Sequence, residues 1–283
     1  MIRGIYTSAS GMLVEQARQD VVTNNLANAD TTGFKKDIAL FKDVPNMDIH
    51  RIDDNRKLFG KKLEIDFRPY IGKLGTGASV DEIATIYEQG KLQHTQNPLD
   101  FALIGKGFFA VETQNGIKYT RAGNFRVGQD GNLVDADGNK VLGLRQPAIM
   151  NEGNILLDTD GNFALNTEYI PVGESQNVEV DTDGVVYING NPQYKVMVVE
   201  FDDPRYLRKV GYNLYDFDDE RAGFGRASEN TKIEQGVLEK SNVNIVREMV
   251  DMITVMRAYE SNQKCITTHD QSVGTLISRV GSR

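Results

Sequence analysis

Ile245, Met252, Tyr259, Ile266, Val273 and Val280 recur at a strict interval of seven, with Met249, Met256 and Ile277 between them and polar Gln263 and Asp270 at the equivalent places. A seven-residue apolar repeat marks a helix whose seam stays turned toward a partner helix, because 3.5 residues per turn keeps the stripe on one side. Ser241, Asn242 and Asn244 offer side-chain oxygens that can cap its first turn. A long core helix inside a globular domain is the alternative, and either way the seam requires a second element to cover it.

The N-terminal stretch from 2 to 28 supplies a candidate. Ile2, Ile5, Ala9 and Met12 follow a 3-4-3 spacing, and Tyr6, Leu13, Ala17 and Val21 widen the stripe. Gly11, Gln16 and Gln19 weaken it, so this helix also needs a partner. The stretch closes on Asn24, Asn25, Leu26 and Asn28, followed by Gly33 and Phe34. Asparagine competes for backbone hydrogen bonds and glycine permits a left-handed turn, so this is a helix stop with an apolar anchor.

Between the helices the pattern changes. From about 79 to 233, short β-branched and aromatic runs alternate with turn signals at Gln129 to Asn132, Ala136 to Asn139, Thr159 to Asn162, Thr182 to Val185 and Asn189 to Asn191. Asp-Gly and Asn-Gly provide the positive φ of tight hairpins, so this region is expected to be all-β with short antiparallel strands. Residues 46 to 78 are first charged and then glycine-bearing, which fits an extended connector with short strands. The fold class is therefore α+β: long N- and C-terminal helices pairing as a coiled-coil-like unit, with an inserted all-β domain. The division is 1–30 and 240–283 for the helical assembly domain, 31–78 for the connector and 79–233 for the β-domain.

Charge narrows the partners. The formal net charge is -8, with nearly neutral ends and the excess acid in the middle, and no basic run or basic helical face appears. Nothing here attracts nucleic acid or an anionic membrane. No window approaches the length of apolar sequence that a membrane helix needs, and the N-terminus lacks the apolar core and cleavage site of a secretory signal. One cysteine, Cys265, rules out an intrachain disulfide, and no Cys/His spacing suits zinc.

Chemical motifs are weak throughout. Three Asp-x-Asp-Gly segments, at 135–138, 158–161 and 181–184, invite a calcium reading but lack the remaining ligands of a calcium loop, and turn chemistry accounts for them. Ile104-Gly105-Lys106-Gly107-Phe108 is too short to cradle a phosphate. His50, His94 and His269 lie in three different regions, and no spacing brings a base to a nucleophile. No catalytic residue, cofactor or metal is expected, and the chain is not expected to be an enzyme.

Five passages together resemble one family. NNLANADTTGFKKD and the opening MIRGIYTSASGM are similar to the first helix and its end in flagellar rod, hook and hook-associated proteins. GKLQHTQNPLDFALIGKGFFAVE (90–112) and YTRAGNFRVGQDGNLVDADGNKVLG (119–143) resemble the entry into the β-domain of the rod proteins, and EQGVLEKSNVNIVREMVDMITVMRAYESNQK (234–264) resembles the family's C-terminal helix. The resemblance implies a structural subunit of the basal-body rod, a drive shaft that carries motor torque to the hook. It implies export through the flagellar type III apparatus without a cleaved signal, and partners among copies of itself and other rod and hook axial proteins. Helical polymerisation would place the paired helices inside and the β-domains outside.

Residues 46–71 and 144–232 depart from the family pattern, and proximal and distal rod positions both stay open. Assembly residues are expected at Asn24, Asn25, Leu26, Asn28, Gly33 and Phe34, and along the seam at Ile245, Met249, Met252, Met256, Tyr259 and Ile266, with ordinary intrachain packing as the alternative for each group. Two rivals are a binding module with a small coiled coil, and an enzyme with a glycosidase-like carboxylate pair.

Overall fold

The computed structural model describes residues 2–50, 57–58, 61–62, 70–145, 167–173, 178–211, 213–217, 226–227 and 231–281. The protein is mixed helix and sheet: α1 (Ile2–Ala27), many antiparallel strands, and α2 (Ile245–Gly281). The turn signal at 159–162 falls outside the described residues.

The chain divides into two compact units. The larger holds Asn25–Lys36 and Thr85–Ile245. Its main sheet runs, by strand, Val178–Val180, Val185–Ile188, Asn191–Val196, Lys140–Arg145, Phe108–Thr113, Gly116–Thr120, Leu214–Asp216 and Arg208–Val210, with every pairing antiparallel. Alternating inward residues build one core around Phe101, Leu103, Phe109, Val111, Val141 and Ile233. A second gathers Phe108, Tyr119, Leu144, Met197, Phe201 and Tyr215. Period-two alternation sends Phe108 and Phe109 to different cores, one on each face of their strand.

The turns explain the Asp-Gly letters. Asn189 and Gly190 both have positive φ, 53° and 80°, and join strands that pair Ile188 with Asn191, a two-residue hairpin turn. In the 135–138 segment the Asp135 carboxylate accepts from the backbone N–H groups of Asp137 and Asn139 and from the Asn139 side chain. That carboxylate is used up closing its own turn. Among the described residues no cluster of three or more His, Cys, Asp or Glu could hold a metal ion.

The smaller unit holds Met1–Asn24, Asp37–Ala84 and Val246–Arg283. The span expected as an extended connector carries two-stranded ribbons here: Asp37–Asp43 with Ala78–Thr85, and Met47–His50 with Tyr70–Leu74. Val44 N–H donates to Gly77 O, which ties the end of the first strand to the residue just before its partner strand. No helix of the described residues is long and apolar enough to cross a membrane.

Candidate assembly site

The N-terminal signature is built into the larger unit. After α1 stops at Ala27 the chain makes tight turns, with Ala29 N–H donating to Leu26 O and Thr31 N–H to Asn28 O, while the Thr31 hydroxyl donates to Asn28 Oδ1. Asn25 is fully buried, Leu26 and Asn28 are half-buried, and Asn24 is exposed. Gly33 has φ +70° and its N–H donates to Glu239 O at 2.8 Å. A Cβ there would stand 2.5 Å from the Ala122 N and Arg121 C backbone atoms, so both the dihedral and the space demand glycine. Phe34 is buried, with Lys209 Nζ 4.3 Å above its ring, and the same ammonium donates to Lys35 O.

Beneath this turn lies a buried charge triad that sequence reasoning missed. Lys35 Nζ donates to Glu239 Oε1 at 2.5 Å and to Glu88 O at 2.7 Å. Arg121 donates to Glu239 Oε2 at 3.4 Å and to Gly105 O at 2.5 Å, and its guanidinium lies over the Phe108 ring. Glu239 Oε1 also accepts from Gly90 N–H. The side chains of Lys35 and Glu239 are fully buried and that of Arg121 nearly so. Burial pulls the Lys35 ammonium and the Arg121 guanidinium below their ordinary values, against the pull of Glu239, which raises both. Two cations on one carboxylate in a dry site leave little tolerance for losing any member.

Asn242 completes the arrangement. Its Oδ1 accepts from Lys36 N–H at 2.7 Å, and its amide donates to Ile86 O and Glu88 O. Asn242 was legible only as a candidate helix cap; it works instead as a bridge between chain segments about two hundred residues apart. A visible trace of the triad was Glu239 following Val237 and Leu238 in a strand, a charged letter where apolar burial is expected.

In the smaller unit α1 and α2 touch through glycine. A Cβ on Gly4 would lie 2.9 Å from His269 Nε2, and one on Gly11 would lie 2.9 Å from Asn262 Nδ2. Seven residues forward on α1 is seven back on α2, so the two helices run antiparallel. On α2 the covered row is Glu248, Met252, Val255, Tyr259, Asn262, Ile266, His269 and Val273, of which Glu248 and Val255 are fully buried. Of the expected seam, Met252, Tyr259 and Ile266 therefore lie on the covered row. Ile245, Met249 and Met256 do not: they are exposed, the two methionines at 50% each. The row beside Met252 is partly polar because α1 meets it with glycines, whose missing side chains leave room for an imidazole and an amide.

Ser10 sets the second contact of α1. Its hydroxyl accepts from Ala78 N–H at 3.4 Å and donates to Thr7 O, while Gly77 has φ +141° and a Cβ there would strike Ser10 Oγ at 2.2 Å. The tip of the ribbon turn thus rests on the helix.

What distinguishes the smaller unit is uncovered apolar surface. Tyr6 and Leu13 on α1, Leu40, Phe41, Val80 and Ile83 on one ribbon, Met47, Tyr70 and Ile71 on the other, and Val246, Met249, Val250, Ile253 and Met256 on α2 are all exposed. Among its described residues only Val21, Val22 and Val255 are fully buried apolar side chains. Apolar exposure on this scale marks an interaction surface. A depression of about 430 Å³ in the larger unit is lined in part by Glu112 and Glu168. Glu112 accepts from the Tyr169 hydroxyl and Glu168 pairs with Arg145.

A buried root and an open helical face describe a structural subunit of an assembly, not a catalyst. Family models agree: residues 5–35 match the flagella basal body rod protein family, 102–188 the flagellar hook protein FlgE/F/G D1 domain, and 234–279 the C-terminal region of flagellar basal body rod FlgEFG proteins. The chain is 33% identical to the flagellar basal-body rod protein FlgG of Bacillus subtilis (strain 168) over 288 residues, covering 98% of this chain and 99% of the relative. It is also 33% identical to FlgG of Borreliella burgdorferi, covering 97% of each, and 28% identical to the flagellar hook-basal body complex protein FlhO of B. subtilis, covering 99% of each. The chain belongs to the flagellar basal-body rod protein family. It is a structural rod subunit and not an enzyme.

Proposed function

We propose that α1 and α2 pair as a coiled-coil-like unit, and that this unit drives helical self-association of the subunit into the rod, the shaft that passes motor torque to the hook. The observation that carries this reading is the apolar surface left open on the smaller unit while the larger one buries its own. An open, non-closing contact between copies generates a helical filament. The signature residues Asn24, Asn25, Leu26, Asn28, Gly33 and Phe34 fix where α1 ends, and the seam residues Ile245, Met249, Met252, Met256, Tyr259 and Ile266 divide between pairing within the subunit and contact with neighbours. The other partners in this reading are the neighbouring rod and hook axial proteins and the flagellar type III export apparatus, which passes the chain across the inner membrane with no cleaved signal and no membrane insertion.

Limited proteolysis of the dilute monomer, read by mass spectrometry, tests the division of labour. Helical and ribbon segments that gain order only on assembly are cut first, leaving residues of 25–36 and 85–245 as the resistant core. A monomer that resists cleavage from end to end would count against assembly-driven ordering. Electron microscopy of basal bodies with Leu13→Asp as the sole copy addresses the polymer itself: loss of the rod is expected, and an intact rod overturns the proposal.

A further inference from the structure

The contacts of Gly4 with His269 and of Gly11 with Asn262 place Ile2, the first residue of α1, level with Gln271 of α2. α2 continues to Gly281, ten residues beyond the level of Ile2. The covered row does not stop there. Val273, Ile277 and Val280 hold the same side of the helix as Ile266 and His269, since spacings of three and four return to one face. Ile277 and Val280 stand about 9 and 14 Å beyond the level of Ile2 at 1.5 Å per residue, and they are 67% and 75% exposed. The row that holds Ile266 and His269 thus continues as exposed apolar surface beyond the level of Ile2.

A second bare stripe lies toward the other end of α2. Val246, Met249, Val250, Ile253 and Met256 recur at three and four and are all at least half exposed. They stand roughly 140° around the helix from the covered row at 100° per residue. Between these ends the outer face is polar, with Glu260, Lys264, Thr267 and Gln271 exposed. The two patches occupy different faces of α2. A surface that pairs with a different surface on an identical copy forms a heterologous contact, and such contacts propagate.

We propose that the overhanging end of α2, through Ile277 and Val280, docks on the Val246 to Met256 stripe of α2 in a second copy. This rests on the polymer reading above and specifies its longitudinal contact. It commits to a repeat: Ile253 and Ile277 are separated by about 36 Å along the helix, so copies in this contact are displaced by about that length along α2.

The test uses rods isolated from cells in which the variant chain is the sole copy. In a Cys265→Ser background, Ile253→Cys and Ile277→Cys are introduced separately and together, and the rods are oxidised and run without reductant. A ladder of covalent multimers from the double variant, with monomer from each single variant, is the expected result. Dimers from either single variant would show a like-to-like contact and overturn the proposal. Intact rods with no cross-linking in the double variant would overturn this contact while leaving the polymer reading in place, whereas absence of the wild-type chain from rods would remove the polymer reading itself. A charge pair gives a second readout should the cysteine variants fail to assemble. Ile277→Lys and Ile253→Glu are each expected to abolish swimming, and the two together to restore it; no restoration in the double variant overturns the contact.

Discussion

The two units spend their apolar residues in opposite ways. In the larger, Phe101, Leu103, Phe109, Val111 and Ile233 are sealed inside, and its charged triad is buried with them. In the smaller, the helices and ribbons present Tyr6, Leu13, Phe41, Tyr70, Val246 and Ile253 outward. At about 25 cal/mol per Å² of apolar surface removed from water, the larger unit collects its stabilisation within one chain. The smaller defers much of it until another surface arrives. On the assembly proposed above, a stable monomer and a strong polymer draw on different residues.

Substitutions sharpen or break this contrast. The largest effect is expected from Glu239→Ala, which strands Lys35 and Arg121 in a dry site; breaking a buried ion pair costs about 3–5 kcal/mol, to be read from denaturant unfolding of the monomer. Gly33→Ala comes next, at about 1–3 kcal/mol for a side chain forced to positive φ, increased by the approach to the Ala122 backbone. Met249→Ser with Ile253→Ser should alter monomer unfolding by no more than about 0.5 kcal/mol, as for surface sites generally, yet abolish rods in micrographs. If the double variant instead lowered monomer stability as much as Gly33→Ala, the contrast between the units would fail. Smallest of all, Lys42→Ala removes an exposed pair with Asp81; an unchanged melting curve and unchanged rods are expected, because solvent screens such pairs.

Much of this was legible in the letters. The seven-residue repeat announced α2, and Asp-Gly and Asn-Gly announced hairpins such as Asn189-Gly190, because local backbone preference and local periodicity are written locally. The face of α2 that meets α1 was half legible. Met252, Tyr259 and Ile266 of the repeat are half-buried, but Asn262 and His269 stood outside it, since their place depends on the notches that Gly4 and Gly11 leave about two hundred and fifty residues away. The triad was hidden for the same reason. Lys35, Arg121 and Glu239 come from three separate passages, and each letter alone is an ordinary surface charge. Residues 46–50 and 70–78 were read as an extended connector with short strands; which strands pair across the ribbon, and Ser10 against Gly77, joins residues far apart in the chain, which composition does not specify.

The bridge at Asn242 has a mechanical meaning. The segments 33–36 and 239–242 both belong to the larger unit, and either one alone would swivel about its φ and ψ angles with little resistance. Here the two segments are laced side by side, with Gly33 N–H on Glu239 O, Lys36 N–H on Asn242 Oδ1 and Lys35 on the Glu239 carboxylate. Twisting them relative to each other shears several short hydrogen bonds in parallel instead of peeling them one by one. Under load the pair behaves as a splined joint inside the larger unit, stiff against the sliding of one segment past the other.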